Sequence, residues 1–232
     1  MAILIIETGA PPEPVLARCG QTASWFLAAL DKIGKRADVI RPYLGETLPE
    51  PTSVTAAILT GSWSMVTDRE EWSEKTAAWI RKAISFDIPL FGVCYGHQLM
   101  AHALGGKVGN NPGGGEAGIV DIELTTEGKR NLLLDNFPGR FPACAFHRQS
   151  VLKPPSGCDI LAISEKDGCQ ILRYATSAFS VQFHPEFTPE IIQSACDTIH
   201  MRPDRLSGLS DPKTNWPLRL LHNFCRIAED IG

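Results

Sequence analysis

Ile88-Pro89-Leu90-Phe91-Gly92-Val93-Cys94-Tyr95-Gly96-His97-Gln98-Leu99-Met100-Ala101-His102-Ala103-Leu104 is the stretch on which the reading of the chain turns. An apolar run feeds into Gly-x-Cys-x-Gly, and a segment with helical character follows. Strand, nucleophile between two small residues, then helix is the order of a nucleophile elbow. The turn is too sharp for side chains at both flanking positions, so Gly92 and Gly96 allow close backbone approach. The helix N-terminus behind Cys94 favours negative charge and offers N–H groups to an oxyanion. Most cysteines merely pack. The other six, Cys19, Cys144, Cys158, Cys169, Cys196 and Cys225, lack glycine flanks and a strand-to-helix junction, and are assigned to core or surface.

A cysteine nucleophile needs a base, and the base an orienting group. Among His97, His102, His147, His184, His200 and His222, the best placed is His184, in Ser180-Val181-Gln182-Phe183-His184-Pro185-Glu186-Phe187. A strand expected over Ala178–Phe183 ends there, and Pro185 stops the ladder, so the imidazole leaves the sheet at its end. Glu186, two residues on and stiffened by the intervening proline, is placed to accept the second ring N–H and hold the tautomer. In isolation this would read as a surface turn; paired with the elbow it reads as chemistry.

Together the two motifs resemble a class I (triad-type) glutamine amidotransferase domain, with Gly92–Gln98 and Phe183–Glu186 as its signatures. The elbow is most similar to the amidotransferase domain of GMP synthases. Leu59-Thr60-Gly61-Ser62-Trp63 ends an expected strand where this family places its oxyanion loop. The family often has Gly-Gly-Pro there, whereas this chain has Gly-Ser-Trp, with Gly61 and Ser62 still able to donate. Ala145-Phe146-His147-Arg148-Gln149-Ser150-Val151 resembles the segment that helps bind the glutamine backbone. The resemblance spans about residues 1 to 190. It implies a flavodoxin-like fold, catalytic roles for Cys94, His184 and Glu186, an oxyanion hole from Gly61, Ser62 and Tyr95, and substrate contacts from Gln98, His147 and Ser150.

The rest of the chain suits such a domain. Its 232 residues suffice for one large α/β domain with a full core. Formal charge of -4 and the absence of a basic block argue against a nucleic-acid surface. No run approaches a membrane span, and the N-terminus enters a strand with no basic leader, so a cytoplasmic protein without a signal peptide is expected. Seven irregularly spaced cysteines suit a reducing compartment. Cys94 and His97 have metal-like spacing but no partner ligands, so no metal is expected.

Short apolar runs at Ala2–Glu7, Arg36–Arg41, Ala56–Thr60 and Ile88–Val93 alternate with helical patterns at Val15–Ile33 and Glu70–Ser85. Such alternation gives an open, mostly parallel sheet with helices on both faces and ligand sites outside the strands' carboxyl ends. After the glycine-rich turn Asn110–Gly115, the closely spaced runs Gly118–Leu124, Arg140–Ala145, Ile160–Ser164 and Gln170–Tyr174 read as an antiparallel extension. The triple glycine lacks the lysine-serine pair of a phosphate loop and is read as a turn or hinge. Pro189–His200 and Leu218–Ala228 have helical spacing. The polar stretch 202–217 between them suits a packing segment, a lid or a docking surface. The expected organisation is a single domain over 1–232, its core about 1–190 and a helical extension about 191–232.

The resemblance implies hydrolysis of the glutamine side-chain amide through a cysteine thioester without a cofactor, releasing ammonia for an acceptor. It also implies a separate synthetase subunit or a stand-alone relative. A γ-glutamyl peptide hydrolase with the same triad, and a non-catalytic regulatory relative, are the alternatives. A peptidase or chaperone on a related fold is weaker, since the His-Pro-Glu motif counts against it.

Overall fold

The computed structural model describes residues 3–200 and 215–231. The chain opens with β1 (Ile3–Ile6), α1 (Glu13–Cys19), α2 (Thr22–Asp31), β2 (Ala37–Ile40), β3 (Ala57–Leu59), α3 (Glu71–Ser85), β4 (Leu90–Val93) and α4 (Tyr95–Ala103). It continues through β5 (Lys107–Asn110), β6 (Glu116–Leu124), β7 (Arg140–His147), β8 (Gln149–Lys153), β9 (Asp159–Ile163), β10 (Ile171–Arg173) and β11 (Ala178–Val181). Two helices close it, α5 (Pro189–Asp197) and α6 (Trp216–Ile231). The polar stretch expected to pack, gate or dock lies outside the described residues up to position 214.

One nine-stranded sheet runs in the order β2-β1-β3-β4-β11-β10-β9-β6-β7. Strands β2, β1, β3, β4 and β11 are mutually parallel, and β10, β9, β6 and β7 extend the sheet with antiparallel pairings. This is the mixed sheet expected from the alternation of short apolar runs. Because side chains alternate across a strand, neighbouring residues enter opposite cores. Ile5, Ile58 and Phe91 pack on one face with Phe26 and Leu30 of α2 and Leu220, Leu221 and Phe224 of α6. Ile6, Leu59 and Leu90 pack on the other with Ile80 of α3 and Leu99 and Met100 of α4. Helix α6 is therefore part of the main core rather than an appendage to it.

Two local expectations differ from the structure. The helix read over Val15–Ile33 is broken at Gly20, whose φ of 78° is left-handed and ends α1. Trp25 of α2 then donates its indole N–H to the Cys19 carbonyl at 2.7 Å, satisfying a group that the break exposes. The second difference is an added antiparallel pair, β5 with β8, forming its own small sheet. It holds the 149–153 segment beside α4. Among the described residues, no helix is long and apolar enough to cross a membrane.

Candidate active site

Strands β3, β4 and β11 are neighbours and parallel, so the segments after them leave the sheet at one edge. Gly61, Cys94 and His184 lie on those segments. The Cys94 N–H donates to the Val181 carbonyl at 2.9 Å, and the Gly96 N–H donates to the Thr60 carbonyl at 3.1 Å. The three segments are thus laced together by backbone hydrogen bonds.

Cys94 sits between β4 and α4 at φ 50° and ψ -99°. A non-glycine residue at such a φ is strained by about 1–3 kcal/mol and persists because the flanking elements fix it. The flanks show why they are glycines. A Cβ on Gly92 would lie 2.7 Å from the Gly96 backbone, and one on Gly96 would lie 2.5 Å from the Leu59 carbonyl oxygen. The Cys94 thiol is nearly buried and faces the Phe146 carbonyl at 3.7 Å, as a weak donor.

His184 and Glu186 are both buried, with Nδ1 and Oε1 2.7 Å apart. Nε2 of His184 is buried with no hydrogen-bond partner among the described residues. The ring is stacked on Phe187, centroids 3.9 Å apart, and its backbone N–H is anchored to the Cys144 carbonyl at 2.7 Å. A Cβ on Gly61 would meet His184 Cε1 at 2.8 Å and Cys94 Cβ at 3.6 Å, so the three residues converge on one spot. Burial alone would lower the His184 pKa. The Glu186 carboxylate and Cys94 outweigh it and raise it to about 10, favouring the imidazolium.

The oxyanion loop is held by two threonines that the sequence did not single out. The Gly61 carbonyl accepts from the hydroxyls of Thr8 at 3.1 Å and Thr60 at 2.9 Å. In a planar trans peptide the C=O and N–H point opposite ways, so tying back the Gly61 carbonyl turns the Ser62 N–H the other way. Neither the Gly61 nor the Ser62 N–H donates to a partner among the described residues. The Tyr95 N–H opens α4 and has no partner within the helix. Tyr95 itself is fixed by its hydroxyl on Ser73 at 2.7 Å and by stacking against Trp72.

Gln98, His147 and Ser150 lie together behind this loop, with their polar atoms turned inward. Gln98 Nε2 donates to the Gln149 carbonyl at 2.7 Å and to Gln182 Oε1 at 3.0 Å. His147 spans the Gln149 carbonyl at 3.0 Å and Glu116 Oε2 at 2.9 Å, while the Ser150 hydroxyl lies 3.5 Å from His147 Nδ1. Gln149 is bound through Nε2 to Thr67, and its Oε1 is buried without a partner among the described residues. A buried amide oxygen left over at this place marks Gln149 as a site residue that sequence spacing did not reveal.

Glu116, His147 and Asp167 bring ligand-type atoms within 4.8 Å of one another. Both ring nitrogens of His147 face acceptors, and Glu116 also accepts from Ser164 at 2.9 Å and Gln170 at 2.8 Å. Burial would raise the Glu116 carboxyl, but His147 and Ser164 hold it below its ordinary value. A buried ion pair accounts for this group of residues without a cation. His97, the other residue with metal-like spacing, is turned to the Ser180 hydroxyl at 2.7 Å, and burial lowers its pKa to about 3.

The sequence profile of the family "Glutamine amidotransferase class-I" matches residues 19–195. The glutamine-hydrolyzing GMP synthase of Aeropyrum pernix is 30% identical over 171 residues, 72% of this chain and 31% of that protein, so the chain spans about a third of that relative. Gamma-glutamyl peptidase 5 of Arabidopsis thaliana is 24% identical over 179 residues, covering 75% of this chain and 71% of that protein. Among solved structures, a glutamine amidotransferase from Thermotoga maritima superposes with a TM-score of 0.79 at 19% identity, covering 98% of both chains.

Proposed function

The chain belongs to the class-I glutamine amidotransferase family, and from that premise we propose that it hydrolyses the side-chain amide of glutamine through a thioester on Cys94. The thiolate attacks the amide carbon. The tetrahedral oxyanion is received by the N–H groups of Gly61, Ser62 and Tyr95. The His184 imidazolium gives its proton to the departing nitrogen, then the ring activates the water that releases glutamate. Glu186 keeps Nδ1 as the donor side, leaving Nε2 for the chemistry. Gln98, His147 and Ser150 act on the substrate side through the segment that carries Gln149.

What supports this reading most is the 2.7 Å contact of His184 with Glu186 on one ring nitrogen, with the other nitrogen unpaired beside Cys94. The ammonia acceptor is assigned to a separate synthetase subunit, because the GMP synthase relative extends well beyond the part matched here. We further read residues 1–232 as one domain acting in the cytoplasm, with the helices after about 190 completing its core.

The test is ammonia release from glutamine, with trapping of Cys94 by a glutamine-like electrophile located by peptide mapping. Cleavage with label on Cys94 supports the reading; an unlabelled Cys94 and no ammonia would favour a non-catalytic relative. The second reading, γ-glutamyl peptide hydrolysis, rests on the similarity to Gamma-glutamyl peptidase 5. It predicts faster turnover of γ-glutamyl peptides than of glutamine.

A further inference from the structure

Beyond the oxyanion loop, the space next to His184 is walled by aromatic rings. Trp25, Trp63, Phe146 and Phe187 join Thr22, Gly61, Ser62 and His184 around a small cavity. Trp25 meets Trp63 and Phe187 edge to face, centroids 6.4 and 5.7 Å apart, and Trp63 lies 6.2 Å from Phe146. The wall is tied to the core: Trp25 and Phe187 are buried, and the Trp25 indole N–H is fixed on Cys19. The room left for the centre of a water-sized molecule is about 10 Å³. That volume suits one molecule the size of water or ammonia.

His184 borders this cavity, and Cys94 does not. In the amide cleavage, Cys94 Sγ forms a bond to the carbonyl carbon and the C–N bond breaks. The nitrogen keeps the electron pair, takes the proton from His184 and departs as ammonia or, if substituted, as the corresponding amine. The leaving nitrogen and whatever it carries therefore lie on the His184 side, against the aromatic wall. We propose that Trp25, Trp63 and Phe187 are specificity residues that confine the leaving group to the size of ammonia. The chain is then selective for the primary amide of glutamine over γ-glutamyl bonds to substituted amines. This rests on the amidase reading and deepens it. Trp63 Nε1 is also buried without a partner among the described residues, so the wall keeps a donor free for a polar atom.

The test compares glutamine, γ-glutamylmethylamide and γ-glutamylethylamide as substrates of the purified full chain. Added carbons in a filled pocket cost about 10–200-fold each in kcat/KM, so the wild type should fall steeply along the series. Trp63→Ala should narrow the glutamine-to-methylamide ratio at least about tenfold by opening the wall. Trp25→Phe, a smaller change suited to a buried position, should narrow it in the same direction. The ratio is read within each protein, so a general loss of activity cancels. Equal cleavage of the ethylamide and glutamine by the wild type, or ratios unmoved in both variants, overturns the inference alone. Absence of turnover with all three substrates overturns the amidase reading and this inference with it.

Discussion

Replacing Glu186 with Gln isolates what the carboxylate does for His184. The exchange keeps size and removes the charge 2.7 Å from Nδ1. In the intact protein His184 is raised from 6.5 to about 10 against the opposing effect of burial. That gap corresponds to about 5 kcal/mol in favour of the imidazolium. Without the carboxylate, burial is left to act, so the alkaline limb of kcat/KM for glutamine should move from near pH 10 toward neutrality. A lost charge-assisted hydrogen bond alone costs about 1.5–3 kcal/mol, or about 10–150-fold in rate. A wrongly set tautomer raises the loss toward about 10⁴-fold. Stability carries the same signature. A pKa raised on folding stabilises fully below the unfolded value near 6.5, and that contribution disappears as pH rises through about 10. The wild type should therefore lose more urea resistance between pH 7 and 10.5 than Glu186→Gln does. Ammonia release measured from pH 5 to 11, with circular dichroism to confirm the fold, checks both. A folded variant with wild-type kcat and an unmoved alkaline limb would refute the reasoning.

Burial raises the thiol pKa of Cys158, Cys169 and Cys225 to about 12 and of Cys196 to about 11, and it raises Cys144 and Cys19 as well. Alkylation at pH 7 followed by peptide mapping should therefore find Cys94 labelled first, and Cys94→Ala should be folded and inactive. Gly61→Ala puts a Cβ 2.8 Å from His184 Cε1, so it should lose about 10²-fold or more in kcat with little change in melting temperature. Gly96→Ala instead drives a Cβ to 2.5 Å from the Leu59 carbonyl oxygen, and should cost about 1–3 kcal/mol or more of stability, read by urea denaturation. Glu116→Gln leaves the His147 imidazolium buried and should destabilise by about 3–5 kcal/mol near pH 7. Because Glu116 is held below its ordinary value, its contribution is present above about pH 4.5 and lost as pH falls through the folded value, so the penalty should shrink in acid.

The parts of the fold that were legible in the sequence are those set by local rules. Alternating burial along Ile5-Ile6 and Ile58-Leu59 gave short strands buried on both faces, and Gly92 and Gly96 marked a turn that has no room for a Cβ. The His184–Glu186 contact was legible too, since two residues separated by one proline have few ways to sit. The pair β5–β8 was not. Lys107-Val108-Gly109-Asn110 and Gln149-Ser150-Val151-Leu152-Lys153 have weak alternation, and their pairing is long-range. The helix break at Gly20 was hidden because glycine inside an apolar repeat is also tolerated as a mere weak point.

The oxyanion loop shows why the remaining site chemistry stays out of reach of pattern reading. Its glycine could be found from the strand before it, but the direction of the Ser62 N–H depends on where the Gly61 carbonyl is tied. That tie comes from Thr60 next door and from Thr8, which is 53 positions from Gly61. A lone threonine after a strand has no signature, because its role exists only once β1 and β3 are paired. The same holds for Gln98 and His147, whose partners Gln149, Gln182 and Glu116 arrive from separate strands or loops. Residues that perform chemistry announce themselves through strained or crowded local backbone, whereas residues that aim them are defined by neighbours that only the folded sheet supplies. Thr8→Val, isosteric and unable to donate, should therefore reduce kcat for glutamine while leaving labelling of Cys94 by iodoacetamide unchanged. The alkylation forms no oxyanion and does not need the aimed peptide. Equal losses in both reactions would mean that Thr8 serves only the fold.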